Sequence, residues 1–253
     1  MVYGKPDGPE ETQSASPRRI QFLDALRGFS IILVVAYHLG YDLVWRGFIP
    51  EGALYNPVLG VLQNIFSGLF ILLAGISSRF SRNNLKRGLI LLACAAAVTL
   101  VSFLVLPDPE LSWQAVTGAY EPAEDEVLAA PVLFGILHLL ASCVLLYALL
   151  EKLRVAAPFV LLAAFLLPFF GVTEFPVIRT ADYFPIVPWG FLFFLGVWLG
   201  GPIRDGAFPK RFYTAQIPVF PAIGRHTLLI YLLHQPVLYG VFWLAEALFP
   251  RSV

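Results

Sequence analysis

The sequence predicts an all-α fold: a polytopic bundle of about seven transmembrane helices, with the N-terminus cytoplasmic and the C-terminus outside. Three observations carry that prediction. Hydrophobic residues make up 58% of the chain and charged residues 13%, with a mean hydropathy of +0.75, well outside the range of a soluble domain. The apolar residues gather in seven runs separated by polar joints. The basic residues fall almost entirely on one side of those runs, as the positive-inside rule requires.

Taken in order, residues 1–20 are polar and rich in Pro, Ser and Glu, with no apolar signal-peptide core, and read as a disordered cytoplasmic tail. Residues 21–250 read as a single transmembrane domain. Within it, Leu23–Trp45, Pro57–Ser78, Gly88–Leu106, Pro131–Leu150 and His226–Phe249 are long enough to cross about 30 Å of hydrocarbon. Val155–Phe170 and Pro185–Gly201 are shorter and need a tilt, a kink or a thinner bilayer. With the N-terminus inside, fourteen of the seventeen Lys and Arg residues lie on the inner side, and only Arg46, Arg179 and Arg251 lie outside. The longest outer loop is acidic instead, with Asp108, Glu110, Glu121, Glu124, Asp125 and Glu126. Cys94 and Cys143 sit in apolar runs with no disulfide or zinc spacing, so no metal site is expected. No nucleic-acid partner is expected either, and the sequence leaves a homodimer open.

The first run carries ionisable groups into the membrane. Eleven steps along the helix lead from Arg27 to His38, which returns them to nearly one face about 16 Å apart. Asp24 precedes Arg27 by one turn and Asp42 follows His38 by one turn, so the four form a polar seam on an Ile/Leu/Val/Phe surface. Groups at that depth cost several kcal/mol unless they face protein, water or substrate. Asp42 is placed to orient the His38 imidazole and raise its basicity. His138, His234, Gln63 and Asn64 fall at similar depth on other runs, where an intramembrane histidine also serves as an interhelical hydrogen-bonding group. Pro236 should weaken the last helix one turn back, near Leu232. Arg79, Arg82, Lys86 and Arg87 set topology, or form a cytoplasmic seat for an anionic cofactor. Tyr183 and Trp189 read as interfacial anchors, and Gly68 and Gly75 as points of close helix approach.

Five segments in order then resemble one family. They are Leu23-Asp24-Ala25-Leu26-Arg27-Gly28-Phe29 through Tyr37-His38 and Asp42; Phe70-Ile71-Leu72-Leu73-Ala74-Gly75-Ile76-Ser77; and Phe134-Gly135-Ile136-Leu137-His138. Asp182-Tyr183-Phe184-Pro185-Ile186-Val187-Pro188-Trp189 and Gly224-Arg225-His226 through His234-Gln235-Pro236 complete the set. Together they resemble the catalytic domain of heparan-α-glucosaminide N-acetyltransferase and its bacterial relatives, within a wider set of transmembrane acyltransferases. The Arg27 to His38 spacing is also similar to that of membrane O-acyltransferases acting on bacterial surface glycans.

The resemblance implies an enzyme of a bacterial inner membrane that takes an acetyl or other acyl group from cytosolic acetyl-CoA. The group would pass to a hydroxyl or amine of a glycan-like or small acceptor on the outer side. In such a reaction His38 is the expected base and Asp42 its orienter, while His138, His234, Gln63, Asn64 and Gln235 donate to the oxyanion or position the acceptor. Arg27, with Arg79, Arg82, Arg87 and Arg225, would meet the phosphates of the acyl-CoA. Two other classes compete. Midplane polar groups and a proline-bearing helix suit a small-molecule or lipid transporter, although no repeated halves are visible. Three intramembrane histidines suit a haem protein, although they do not come in pairs on one helix. A retinal protein is excluded in practice, because Lys5, Lys86, Lys152 and Lys210 all fall in the tail or loops.

Overall fold

The computed structural model describes residues 19–106, 109–117, 130–153 and 182–249. Its helices are α1 (Gln21–Trp45), α2 (Pro57–Phe80), α3 (Asn84–Leu104), α4 (Pro109–Thr117), α5 (Ile136–Lys152), α6 (Ile186–Arg204), α7 (Lys210–Thr214), α8 (Phe220–Arg225) and α9 (Thr227–Leu248). No strand occurs among the described residues. Five helices, α1, α2, α3, α6 and α9, are long and apolar enough to cross a membrane, where the sequence predicts about seven spans. α5 has 17 residues, about 25 Å of helix. The expected run Val155–Phe170 lies outside the described residues, as do residues 1–18 of the expected tail. α4 is an addition, lying where the sequence reads only an acidic loop.

Local chemistry sets the helix starts. Asn56 caps α2 by accepting from Leu59 N at 3.0 Å, with Pro57 at the first helical position. Asn83 caps α3 by accepting from Lys86 N at 2.8 Å, so this helix begins four residues earlier than its apolar run. α1 opens on an ion-pair ladder in which Asp24 accepts from Arg19 and Arg27. α9 runs as one helix through Pro236, which has no N–H to donate one turn back. The chain before α6 is tied to the chain before α5 by Phe184 N donating to Phe134 O at 3.0 Å.

Helices in lipid gain nothing from burying apolar surface against each other, so close approach and packing hold the bundle together. Two crossings use glycine for this. Gly75 of α2 faces the Phe193 carbonyl of α6 while Gly196 of α6 faces the Leu72 carbonyl of α2, leaving no room for a Cβ at either. Gly28 of α1 and Gly224 of α8 approach the Phe220 and Asp24 carbonyls in the same reciprocal way, which docks the short α8 onto α1. α3 runs antiparallel to α5, with Gly88 against Leu145 near one end and Thr99 against His138 near the other. Ile31, Ile71, Leu139 and Phe193 are fully buried between these helices. Leu104, Val237, Trp243 and Leu248 point outward and are exposed, the apolar surface a bilayer would cover.

Candidate active site

The α1–α8 crossing brings the start of α9 beside the start of α1, and the end of α2 and the start of α3 complete a cleft of about 790 Å³. That volume lies within the range of small-molecule sites. Its rim is basic, with Arg19, Arg27, Lys86, Arg87 and Arg225 around a single carboxylate, Asp24. Its interior walls are apolar, with Phe70, Leu91, Leu140 and Leu228, and it reaches Leu137 and Tyr231. The α3–α5 pairing gives a depth scale. Leu137 lies eight residues along α5 from Leu145, the neighbour of Gly88, which is about 12 Å at helical rise.

The charges at the rim do not balance. Asp24 is shared, accepting from Arg19 Nε at 2.6 Å and from Arg27 Nη1 at 2.7 Å, while Arg27 Nη2 donates to Ser77 Oγ. Arg87 donates to Ser78 Oγ at 2.9 Å and to the Ala74 carbonyl at 3.3 Å, both neutral. No carboxylate pairs with Arg87 among the described residues, and the like charge of Arg27 acts on it. Two partly buried guanidiniums, Arg27 and Arg87, of which only Arg27 has a carboxylate partner, make a site for an anion. Arg225 also lines the cleft and donates to the Pro221 carbonyl at 3.2 Å. Two of the five expected cofactor cations do not reach it. Arg79 donates to the Tyr147 hydroxyl at 3.3 Å on the α5 side, and Arg82 points outward. Arg19, read in the sequence only as an inner cation, joins the cleft instead.

Beyond the cleft lies a histidine pair. The rings of His38 on α1 and His234 on α9 stand 4.9 Å apart, and Gln235 Nε2 donates to His38 Nδ1 at 3.2 Å. His234 Nδ1 donates to the Tyr231 carbonyl at 2.5 Å, and its Nε2 is buried with no partner. The Tyr231 hydroxyl, from a ring that lines the cleft, donates to Asp182 Oδ2 at 3.0 Å. Asp182 is half-buried just ahead of α6, accepts from the backbone N–H of Ile136 at the start of α5, and acts electrostatically on His138 and His234. Burial pushes its carboxyl up from the ordinary value, against the pull of these donors. Asp182 and Tyr231 lie inside segments that carry the family resemblance, yet the sequence assigned them no role. The available signal was a lone acid immediately before an apolar run.

The other expected site residues separate from this pair. His138 is engaged at both ring nitrogens, with Nε2 3.1 Å from Thr99 Oγ1 and Nδ1 accepting from Gly135 N at 3.2 Å, which makes it a cap of α5. Asp42 makes no hydrogen bond to His38, whose described partner is Gln235. Its Oδ2 is buried without a partner one turn further along α1. Gln63 is half-buried and Asn64 exposed on α2, and no hydrogen bond joins either to the histidines. No cluster of three metal-ligating side chains occurs among the described residues.

A basic rim, an apolar cleft and an imidazole pair behind Tyr231, one of its lining residues, suit a reaction that binds a large anionic donor and moves a proton at depth. No curated protein and no solved structure matches the chain. A family model does, that of the catalytic domain of heparan-α-glucosaminide N-acetyltransferase, over residues 19–114 and 127–236. Both matched blocks contain the residues that build the cleft and the histidine pair, and together they span most of the sequence, so the chain belongs to the heparan-α-glucosaminide N-acetyltransferase catalytic-domain family.

Proposed function

We propose that the protein is a transmembrane acyltransferase that takes an acetyl or other acyl group from cytosolic acyl-CoA. The group passes to a hydroxyl or amine of a glycan-like or small acceptor reaching the site from the opposite face. One observation carries this reading: the cleft that begins at the unneutralised Arg87 ends at Tyr231, beside the His38–His234 pair. The acyl-CoA fits the residues present, because Arg87 lacks an acidic partner and the channel beyond it is apolar. In this reading Arg27 and Arg87 hold phosphate oxygens. Phe70, Leu140 and Leu228 hold the pantetheine arm and keep water from the thioester. The histidine pair handles the acceptor's proton and the developing oxyanion.

The orientation belongs to the same proposal. With the N-terminus cytoplasmic, the basic rim opens on the side where acyl-CoA is found, and Asp42 and Gln235 lie toward the acceptor's side. Residence in a bacterial inner membrane rests on the family's bacterial relatives. The test is binding and slow hydrolysis of radiolabelled acetyl-CoA by the detergent-purified full chain, with Arg87→Ala and His38→Ala as controls. Saturable binding weakened by the first variant and turnover lost in the second support the reading. Folded protein that neither binds nor hydrolyses acetyl-CoA rejects it, and transport in proteoliposomes becomes the reading to test.

A further inference from the structure

The two rings of the histidine pair are held differently, and this divides the labour between them. A backbone carbonyl only accepts, so the 2.5 Å contact between His234 Nδ1 and Tyr231 O places the His234 proton on Nδ1. Its Nε2 is therefore a bare lone pair, buried and without a partner. A buried polar atom left unmatched calls for an explanation, and a substrate proton supplies one. His38 is held the other way, with Nδ1 accepting from the Gln235 amide, so that its proton sits on Nε2. Behind His234 stands a half-buried carboxylate: Asp182 fixes the Tyr231 side chain through its hydroxyl and lies within electrostatic range of the His234 ring.

We infer that His234, not His38, is the proton acceptor of this site, that Asp182 is a positioning residue acting on it through Tyr231, and that His38 is the hydrogen-bond donor to the oxyanion. This rests on the acyl-transfer reading. As the acceptor's oxygen or nitrogen bonds to the acyl carbon, its proton passes to His234 Nε2. When the carbon–sulfur bond breaks, the sulfur leaves with the electron pair and takes that proton, so the imidazole returns to neutral and the thiol is released. Asp182 favours the transient imidazolium by its charge, as an acid held behind a catalytic histidine does.

Two readouts on the full chain in detergent test this. The first is nitrogen NMR of protein labelled at histidine, with the His234 signal assigned by its loss in His234→Gln. A signal from the Nδ1–H form is expected, blurred into a tautomer average in Tyr231→Phe, which removes the hydroxyl and leaves the α5 cap intact. The second is acetyl-CoA hydrolysis by Asp182→Asn, which keeps an oxygen for Tyr231 and lacks the charge. Its kcat should fall about 10- to 100-fold, the range for groups that orient a functional histidine. KM should stay within about twofold, because Asp182 does not line the cleft. A merely structural Asp182 would lower the yield of folded protein without splitting kcat from KM. A His234 proton found on Nε2, or an unchanged kcat in Asp182→Asn, overturns the inference. If acetyl-CoA is neither bound nor hydrolysed while the Nδ1–H form is seen, the acyl-transfer reading and the proton-acceptor role fall together, and the positioning of His234 by Asp182 stands on the spectrum alone.

Discussion

Asp182 separates two histidine environments that look alike in the sequence and differ in what they leave free. On one side, at the α3–α5 crossing, His138 spends both ring nitrogens on Thr99 and on the backbone of Gly135. On the other, at the α1–α9 seam, His234 spends one nitrogen on Tyr231 and keeps the other bare next to His38. Both stand in an apolar run and both feel the same carboxylate. The difference teaches that burial and an acidic neighbour do not mark a reactive imidazole; an uncommitted nitrogen facing a cavity or a second polar ring does.

The strongest way to break this contrast is to remove one histidine from each side. His38→Ala should cut acetyl-CoA hydrolysis by about 100-fold or more, within the usual range for loss of a group that assists proton transfer or the oxyanion. His138→Ala should leave kcat per folded molecule within a few-fold, and instead lower thermal stability by about 1–3 kcal/mol, because Thr99 and the α5 cap lose their partner. Equal losses of turnover in the two variants would erase the distinction drawn here.

The rim of the cleft repeats the contrast with arginines. Arg79 rests on Tyr147 away from the cleft, whereas Arg87 faces the cleft with neutral partners only. Arg87→Ala should weaken acetyl-CoA binding about 10- to 100-fold, which is the loss of one hydrogen-bonded ionic contact. Arg79→Ala should change it less than about twofold. Equilibrium binding of labelled acetyl-CoA to the two purified variants checks both values.

Much of this was legible before any coordinates, and the rest was not for physical reasons. The long helices follow from apolar runs, and the α1 seam follows from the spacing of Arg27 and His38, because both are properties of neighbours along one helix. Gly75 was legible as a point of close approach and is one. The division among the basic residues was not legible, since Arg79 and Arg87 differ only in what the fold places beside them. Gly28 and Gly224 dock α8 onto α1 across almost the whole chain, and no local pattern announces a helix of six residues. Asp182 meets Tyr231 across 49 positions. Asp42 shows the opposite failure: one turn along the helix placed it near His38, but helical register alone does not make a hydrogen bond, and Gln235 took that position.

A milder change sharpens the structural side alone. Thr99 Oγ1 donates to the Val132 carbonyl at 2.7 Å and contacts His138 Nε2, tying α3 to the chain that leads into α5. Thr99→Val keeps the shape and removes the hydroxyl. It should cost about 1–2 kcal/mol of stability, seen as a lower melting temperature in detergent, with acetyl-CoA hydrolysis per folded molecule unchanged. A loss of turnover larger than the loss of folded protein would mean that His138 reaches the reaction after all.

The smallest expected effect concerns Asp182 itself and follows from the sign of its shift. Burial, the largest influence on its carboxyl, raises it above the ordinary 3.8, while the Tyr231 hydroxyl, the Ile136 N–H and the nearby His234 and His138 only partly oppose this. Between the ordinary value and the raised one, the folded protein therefore binds more protons at this group than the unfolded chain does. Stability from Asp182 is fully present below the ordinary value and is lost as pH rises through the raised one, the reverse of a salt-bridged aspartate. Asp182→Asn cannot ionise, so it should flatten that slope, and melting temperatures of the two proteins should converge toward acid and part toward neutral pH with the variant the less affected. Parallel curves would place the carboxylate in water, where it could neither cap α5 nor position His234. Converging curves, together with the loss of kcat in Asp182→Asn, would mean that the protein keeps a costly half-buried acid for what it does to one of its two histidines.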